Sequence, residues 1–414
     1  MKNKGFTTRL VHSDRTLNKP VDGSVHSPTS NSVLFEYQDV NDLVDVFQGR
    51  KVGHVYSRSS SSSNTALQNQ LSDIEGGIGA ITFSTGMAAI SSALFALLKQ
   101  NDHIVVSRYL FGNTRSFMDT LCNLGIDVSF VDVTNVNDVA QALKPNTRVV
   151  FSETIANPVT QVADLEAIGN LCAEKNVIFM VDSTMTPGYV FDAKRVQASM
   201  TVCSLTKYIA GHGSVLGGAL IDTGCYDWSS YPNIFELYKT GDSSQWGLTQ
   251  VRKKGLRDLG ATLAPDAASE IAIGLETLAL RMDRCCQNAL RLATYLHGHD
   301  KVENVYYPGL ADHPQHFIAR ELFNGNYGGI FSLDLADGVD VHAFLNQLKT
   351  VITATHLGDT RTLGLPVAST IFYESGAQQR AEMGIGDKMI RFSVGIEDID
   401  DIVADFEQAF QSLK

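Results

Sequence analysis

From residue 80 to residue 203 the chain alternates short β-branched runs with helical periods of about ten residues, and this pattern constrains its fold more than any other feature. Ala80-Ile81-Thr82-Phe83 precedes a helical stretch over 87–98, Ile104-Val105-Val106 precedes one over 115–124, and 128–131 precedes one near 139–143. Val149-Val150-Phe151, a helix over 165–175, a strand over 177–181 and Thr201-Val202-Cys203 continue the series. Strands separated by helical crossovers lie parallel, so the predicted fold class is α/β with a doubly wound, mainly parallel sheet. An amphipathic helix carrying Leu67, Leu71 and Ile74 precedes the first strand and stops at Gly76-Gly77.

The flanks have a different character. Residues 1 to about 55 are expected to form an extended arm ordered by something else, because Pro20, Pro28 and runs of Ser, Asn and Asp interrupt every period. The stretch 222–250 holds Tyr226, Trp228, Tyr231, Phe235, Tyr238 and Trp246 without a period, which suits a packed lid, an interface or core filling. A long apolar period over 267–296 predicts a linking helix. It leads into a second, smaller α+β domain with strands at 329–333 and 390–394 and helices near 341–348 and 400–410.

Composition narrows the partners. Acids outnumber bases 45 to 33, a formal charge of -12, and 44% of residues are hydrophobic. That balance excludes the basic patches wanted by nucleic acid or anionic membranes, and it excludes disorder. The polar segment 1–10, with Lys2, Lys4 and Arg9, is neither a signal peptide nor a transit helix, and no window nears the roughly 20 apolar residues of a membrane span. The expected location is the cytoplasm. Six scattered cysteines lack C-x-x-C spacing, so no metal site or disulfide framework is expected.

Open parallel sheets bind ligands beyond the carboxyl ends of their strands. Four such ends are chemically loaded. Ser84-Thr85-Gly86-Met87 opens a helix, whose free N–H groups suit a phosphate. Asn157-Pro158 follows the strand at 149–151, and Asp182 closes the strand at 177–181. Ser204-Leu205-Thr206-Lys207-Tyr208 follows the strand at 201–203 and precedes the glycine-rich run 211–218, which places Lys207 as a nucleophilic amine. A lysine, two hydroxyls, an acid and a helix N-terminus at neighbouring strand ends meet the demands of pyridoxal 5'-phosphate (PLP).

The motifs Tyr56-Ser57-Arg58, Glu75-Gly76-Gly77, Gly86-Met87-Ala88-Ala89, Glu153 with Asn157-Pro158, Val181-Asp182, Ser204-Leu205-Thr206-Lys207-Tyr208-Ile209 and Arg391-Phe392-Ser393-Val394-Gly395-Ile396-Glu397-Asp398 occur in one order along nearly the whole chain. In this the sequence resembles the Cys/Met-metabolism (trans-sulfuration) enzymes of PLP fold type I, the aspartate aminotransferase-like fold. The resemblance implies an N-terminal arm over 1–60 that contacts a neighbouring subunit, a PLP-binding domain over 61–255 and a C-terminal domain over 256–414. It also implies that Lys207 holds the cofactor covalently and moves protons between Cα and Cγ of the substrate. Asp182 would pair with the pyridine nitrogen, and Gly86, Met87, Ser204 and Thr206 would bind the phosphate with Tyr56 and Arg58 of a neighbouring subunit. Asn157 would meet the ring oxygen and Arg391 would clamp the substrate α-carboxylate. The implied assembly is a homotetramer of active-site dimers.

Three departures bear on substrate. Ser61, Ser62 and Ser63 replace the family's usual Asn-Pro-Thr. Phe111 takes the place of a tyrosine that stacks on the cofactor ring, so it can stack but cannot move a proton; a similar Phe is found in some homoserine-ester sulfhydrylases. His356 replaces a serine that helps hold the substrate carboxylate, which makes it a candidate substrate contact. The expected activity is that of a C–S lyase acting on cystathionine by β- or γ-elimination. The alternative is γ-replacement, by a cystathionine γ-synthase or an O-acetyl- or O-succinylhomoserine sulfhydrylase. A non-catalytic PLP-fold protein is a remote third, opposed by the presence of both Lys207 and Asp182.

Overall fold

A computed structural model of the chain describes residues 4–15 and 23–413. Pro20 and Lys2, which entered the reading of the arm and the N-terminus, lie outside the described residues.

Seven strands form the larger sheet: β1 (Gly79–Phe83), β2 (His103–Ser107), β3 (Asp127–Val131), β4 (Thr147–Glu153), β5 (Ile178–Asp182), β6 (Met200–Cys203) and β7 (Gly218–Asp222). Their order is β1-β7-β6-β5-β4-β2-β3. The pairs from β6 to β3 are parallel, as the alternating pattern predicted. Successive residues of the inner strands enter cores on opposite faces: Val150 packs into one, Val149 and Phe151 into the other.

One strand of this sheet escaped the sequence reading. β7 is antiparallel to both β1 and β6, and its first residue, Gly218, follows directly on a glycine-rich loop that masks the strand's onset. A Cβ on Gly218 would lie 2.0 Å from the Thr85 carbonyl oxygen. Only glycine lets β7 pass so close beneath the start of helix Gly86–Leu97.

The expected linking helix is two helices, Pro265–Leu275 and Leu278–Leu296. Between them the Thr277 hydroxyl and the Arg281 guanidinium both donate to the Gly274 carbonyl, at 3.2 and 2.7 Å, taking a bond that a continuous helix would supply. The second sheet is ordered β10-β11-β12-β9-β8, from β8 (Val302–Tyr306), β9 (Ile330–Leu335), β10 (Ile352–Thr353), β11 (Leu363–Pro366) and β12 (Met389–Ser393). β9 and β12 match the two predicted strands.

The arm is less extended than expected, since it carries helices Phe6–Leu10 and Val40–Phe47. Part of the aromatic stretch 222–250 is core filling: Trp228 is fully buried, donates Nε1–H to the Asp222 carboxylate at 2.8 Å, and stacks edge-on with Tyr226 and Tyr231, whereas Phe235 and Leu237 are exposed. Among the described residues no helix is long and apolar enough to cross a membrane.

Candidate active site

The parallel register brings the loaded strand ends together. Glu153 at the end of β4 stands opposite Asp182 at the end of β5, and Ser204 follows β6. The Ser204 N–H donates to the Thr184 hydroxyl at 2.8 Å, which ties the two strand ends to each other. A cavity of about 320 Å³ lies above them, lined by Gly86, Met87, Phe111, Asn157, Asp182, Ser204, Thr206, Lys207 and Arg391 among others. Nine of the twelve site residues named from sequence thus share one space.

One end of the cavity is built from backbone. Thr85 caps helix Gly86–Leu97 by accepting the Ala88 N–H at 3.0 Å, so the N–H groups of Gly86 and Met87 keep no intrahelical partner. A Cβ on Gly86 would come 2.8 Å from the Ser204 Cβ, so glycine is what keeps a cradle open between this helix end and Ser204. Thr206 is already engaged: its hydroxyl donates to the Gly217 carbonyl at 3.2 Å and accepts the Gly217 N–H at 3.0 Å. Binding an anion there requires that donor to turn away from Gly217.

At the opposite end, burial raises Asp182 above the usual carboxylate range, although the Thr184 N–H donates to it at 2.9 Å. Burial, reinforced by Asp182, lifts Glu153 to about 8, so Glu153 is protonated at neutral pH. Its Oε1 accepts the Phe111 N–H at 2.9 Å, and the Phe111 ring meets the edge of Phe372 at 6.1 Å between centroids. The aromatic wall is therefore fixed from two sides. Glu153 and Thr184 had no assigned role in the sequence reading, because both act through partners on other strands.

Lys207 is half-buried, and burial together with the Arg391 charge lowers its amine to about 8. Arg391 projects from β12 and is 1% exposed. Its Nη2 donates to the carbonyls of Thr355 at 3.3 Å and His356 at 3.0 Å, its Nη1 reaches Asn157 Oδ1 at 3.5 Å, and its Nε is buried with no partner. A buried guanidinium with an unspent donor facing no carboxylate suits an anionic ligand. His356, expected as a substrate contact, instead places its Nδ1 3.1 Å from Lys207 Nζ and does not line the cavity.

Tyr56 and Arg58 also lie outside this cavity. Both are exposed, with the Arg58 guanidinium 5.5 Å from the Tyr56 ring centroid. Among the described residues no cluster of three or more His, Cys, Asp or Glu could hold a metal ion.

The residues fit PLP on two observations: the glycine-kept cradle at a helix N-terminus for the phosphate, and an Asp182 carboxyl that burial raises and that has no cationic partner among the described residues, for a protonated ring nitrogen. Fold and site together define a PLP-dependent enzyme of fold type I. More narrowly, the chain belongs to the Cys/Met metabolism PLP-dependent enzyme family, which matches residues 7–411. It is 35% identical to an L-methionine γ-lyase of Fusobacterium nucleatum subsp. polymorphum, covering 100% of this chain and 99% of that one. It is 34% identical to the O-acetyl-L-homoserine sulfhydrylase of Corynebacterium glutamicum, covering 99% and 97%. Among solved structures it superposes with a TM-score of 0.93, at 27% identity and over 99% and 100% of the two chains, on a provisional O-acetylhomoserine (thiol)-lyase of Campylobacter jejuni that carries N'-pyridoxyl-lysine-5'-monophosphate. The protein is thus a PLP-dependent enzyme of the C–S lyase and γ-replacement group of sulfur amino acid metabolism.

Proposed function

We propose that this enzyme replaces the γ-substituent of an O-acylhomoserine with sulfide or a thiol. The observation that carries the reading is Phe111. No tyrosine, cysteine or histidine side chain lines the cavity, and the wall position that could carry a hydroxyl carries a phenyl ring. A departing alkanethiolate needs a proton, whereas a departing carboxylate is stable as the anion at neutral pH. A ring-facing wall that carries a phenyl in place of a hydroxyl suits an ester substrate, and the sulfhydrylase relatives support the same reading.

PLP, when bound, supplies an electron sink for charge that develops at the substrate Cα. Lys207 bonds the cofactor, takes the Cα proton on Nζ and carries protons towards Cγ. Asp182 holds the proton on the ring nitrogen. Gly86, Met87, Ser204 and Thr206 would hold the phosphate, Asn157 and Phe111 would hold the ring, and Arg391 would orient the substrate α-carboxylate.

The test supplies O-acetylhomoserine, O-succinylhomoserine, methionine and cystathionine, each with and without sulfide. Homocysteine formed from an ester at least about tenfold faster than keto acid from methionine or cystathionine is the expected outcome, a gap of about 1.4 kcal/mol in barrier. Faster 2-oxobutyrate release from methionine overturns it in favour of the elimination that the methionine γ-lyase relatives carry out.

The same proposal includes the assembly: a cytoplasmic homotetramer of active-site dimers, in which the arm over 1–60 serves the 61–255 domain of a neighbour while 256–414 supplies Arg391. The arm supports this with Leu34, Val40, Phe47 and Val52 exposed by 66% or more, an apolar surface that needs a cover. Subunit mixing checks it. Lys207→Ala and Arg58→Ala chains, each nearly inactive alone, are expected to regain up to about a quarter of wild-type activity when refolded together, since random pairing makes half of the dimers mixed and each mixed dimer holds one intact site. No recovery would mean that Arg58 serves its own chain.

A further inference from the structure

The loop bearing His356 is pinned from two sides. Arg391 holds the carbonyls of Thr355 and His356, and Ser393, two residues along the same face of β12, accepts the Gly358 N–H through its hydroxyl at 2.9 Å. Gly358 has φ +73°, and a Cβ there would lie 2.7 Å from the Tyr208 nitrogen, so only glycine brings this loop onto the backbone following Lys207. The consequence is the 3.1 Å contact between His356 Nδ1 and Lys207 Nζ.

The charged groups around the imidazole are Lys207 and Arg391, which oppose its protonation, and Asp359, which favours it. Burial joins the two cations and lowers His356 to about 4, so the ring is neutral. A neutral imidazole accepts at one nitrogen only. Facing an amine, Nδ1 is the acceptor and the ring proton sits on Nε2, which is buried without a protein partner.

We propose that His356 is a positioning residue for Lys207, its Nδ1 accepting an N–H of the amine whenever that amine is not bonded to the cofactor. The contact holds Nζ in one orientation beside the cavity that Lys207 lines, ready to attack the cofactor aldehyde and to receive a substrate proton. It does not pass that proton on, because the amine at about 8 holds a proton far more tightly than the imidazole at about 4. The proposal rests on Lys207 being the cofactor-bonding residue. Peptide mapping after borohydride reduction checks that point independently.

The experiment uses the full-length protein freed of cofactor and follows PLP capture by absorbance between about pH 6.5 and 9.5, spanning the lysine's ionisation. Only the free amine adds to an aldehyde, so capture by the wild type is expected to rise with pH through about 8. His356→Asn keeps an acceptor near the Nδ1 position; His356→Gln puts it near Nε2. Capture by the Asn variant is expected to stay within about threefold of wild type. Capture by the Gln variant is expected to fall about tenfold, with its midpoint moved to lower pH by about half a unit, since the lost acceptor favoured the charged amine. Wild-type rate and midpoint in the Gln variant, or equal losses in both variants with the midpoint unmoved, would overturn the proposal. A failure of the substrate test leaves this result unaffected, because no substrate is present.

Discussion

Lys207→Ala is expected to lower turnover by at least about 10²- to 10⁴-fold, the range for losing one positioned acid–base group, with the lost covalent bond adding to it. Borohydride reduction of the loaded wild type should fix pyridoxyl mass on the peptide containing Ser204 to Tyr208, and the variant should carry none. The structure explains why this lysine and not another. Its amine is half-buried, is depressed to about 8 by burial and by Arg391, and opens onto the cavity that Asp182 and Gly86 share. Six of the twelve other described lysines pair with surface carboxylates, as Lys144 does with Asp127 and Lys388 with Glu303. Retained pyridoxyl mass at a different lysine in the variant would remove Lys207 from its role.

The second large effect is expected at Arg391. Arg391→Ala should reduce kcat/KM about 10²- to 10⁴-fold, the loss of two charge-assisted hydrogen bonds to a carboxylate at about 1.5–3 kcal/mol each, while cofactor absorbance persists. The variant should also lose stability, chiefly because the half-buried His356 carbonyl keeps no donor, at about 1–3 kcal/mol, whereas Thr355 is exposed and its carbonyl can turn to water. A pH measurement separates charge from shape. The guanidinium lowers the free Lys207 amine, so removing it lets that pKa rise from about 8 and moves the alkaline-rising limb of PLP capture by the cofactor-free protein to higher pH. Arg391→Lys keeps the charge and leaves that limb in place, yet loses the fork and much of the kcat/KM. An unshifted limb in the alanine variant would show that Arg391 does not set the lysine's ionisation.

Much of this site was legible because its parts are local. A helix cap at Thr85, a carboxylate closing a strand at Asp182 and a lysine beside hydroxyls and glycines each depend on a few adjacent residues, and a parallel sheet then collects strand ends on one edge. The roles that the sequence reading left out or placed elsewhere act at long range. Glu153 orients Phe111 across 42 residues of chain, and His356 meets Lys207 across 149.

By itself the sequence determined the parallel α/β sheet, the order of its helices and the cluster of groups that meets PLP, since period, caps and glycines are set by neighbours within a turn or two. Tertiary structure alone decided that β7 runs antiparallel beneath Thr85, that Trp228 fills the core, and that His356 faces the Lys207 amine instead of the cavity. It also decided which groups carry charge. Ionisation follows from how much water and which distant charges a fold leaves around a group, and neither is written in the residues beside it.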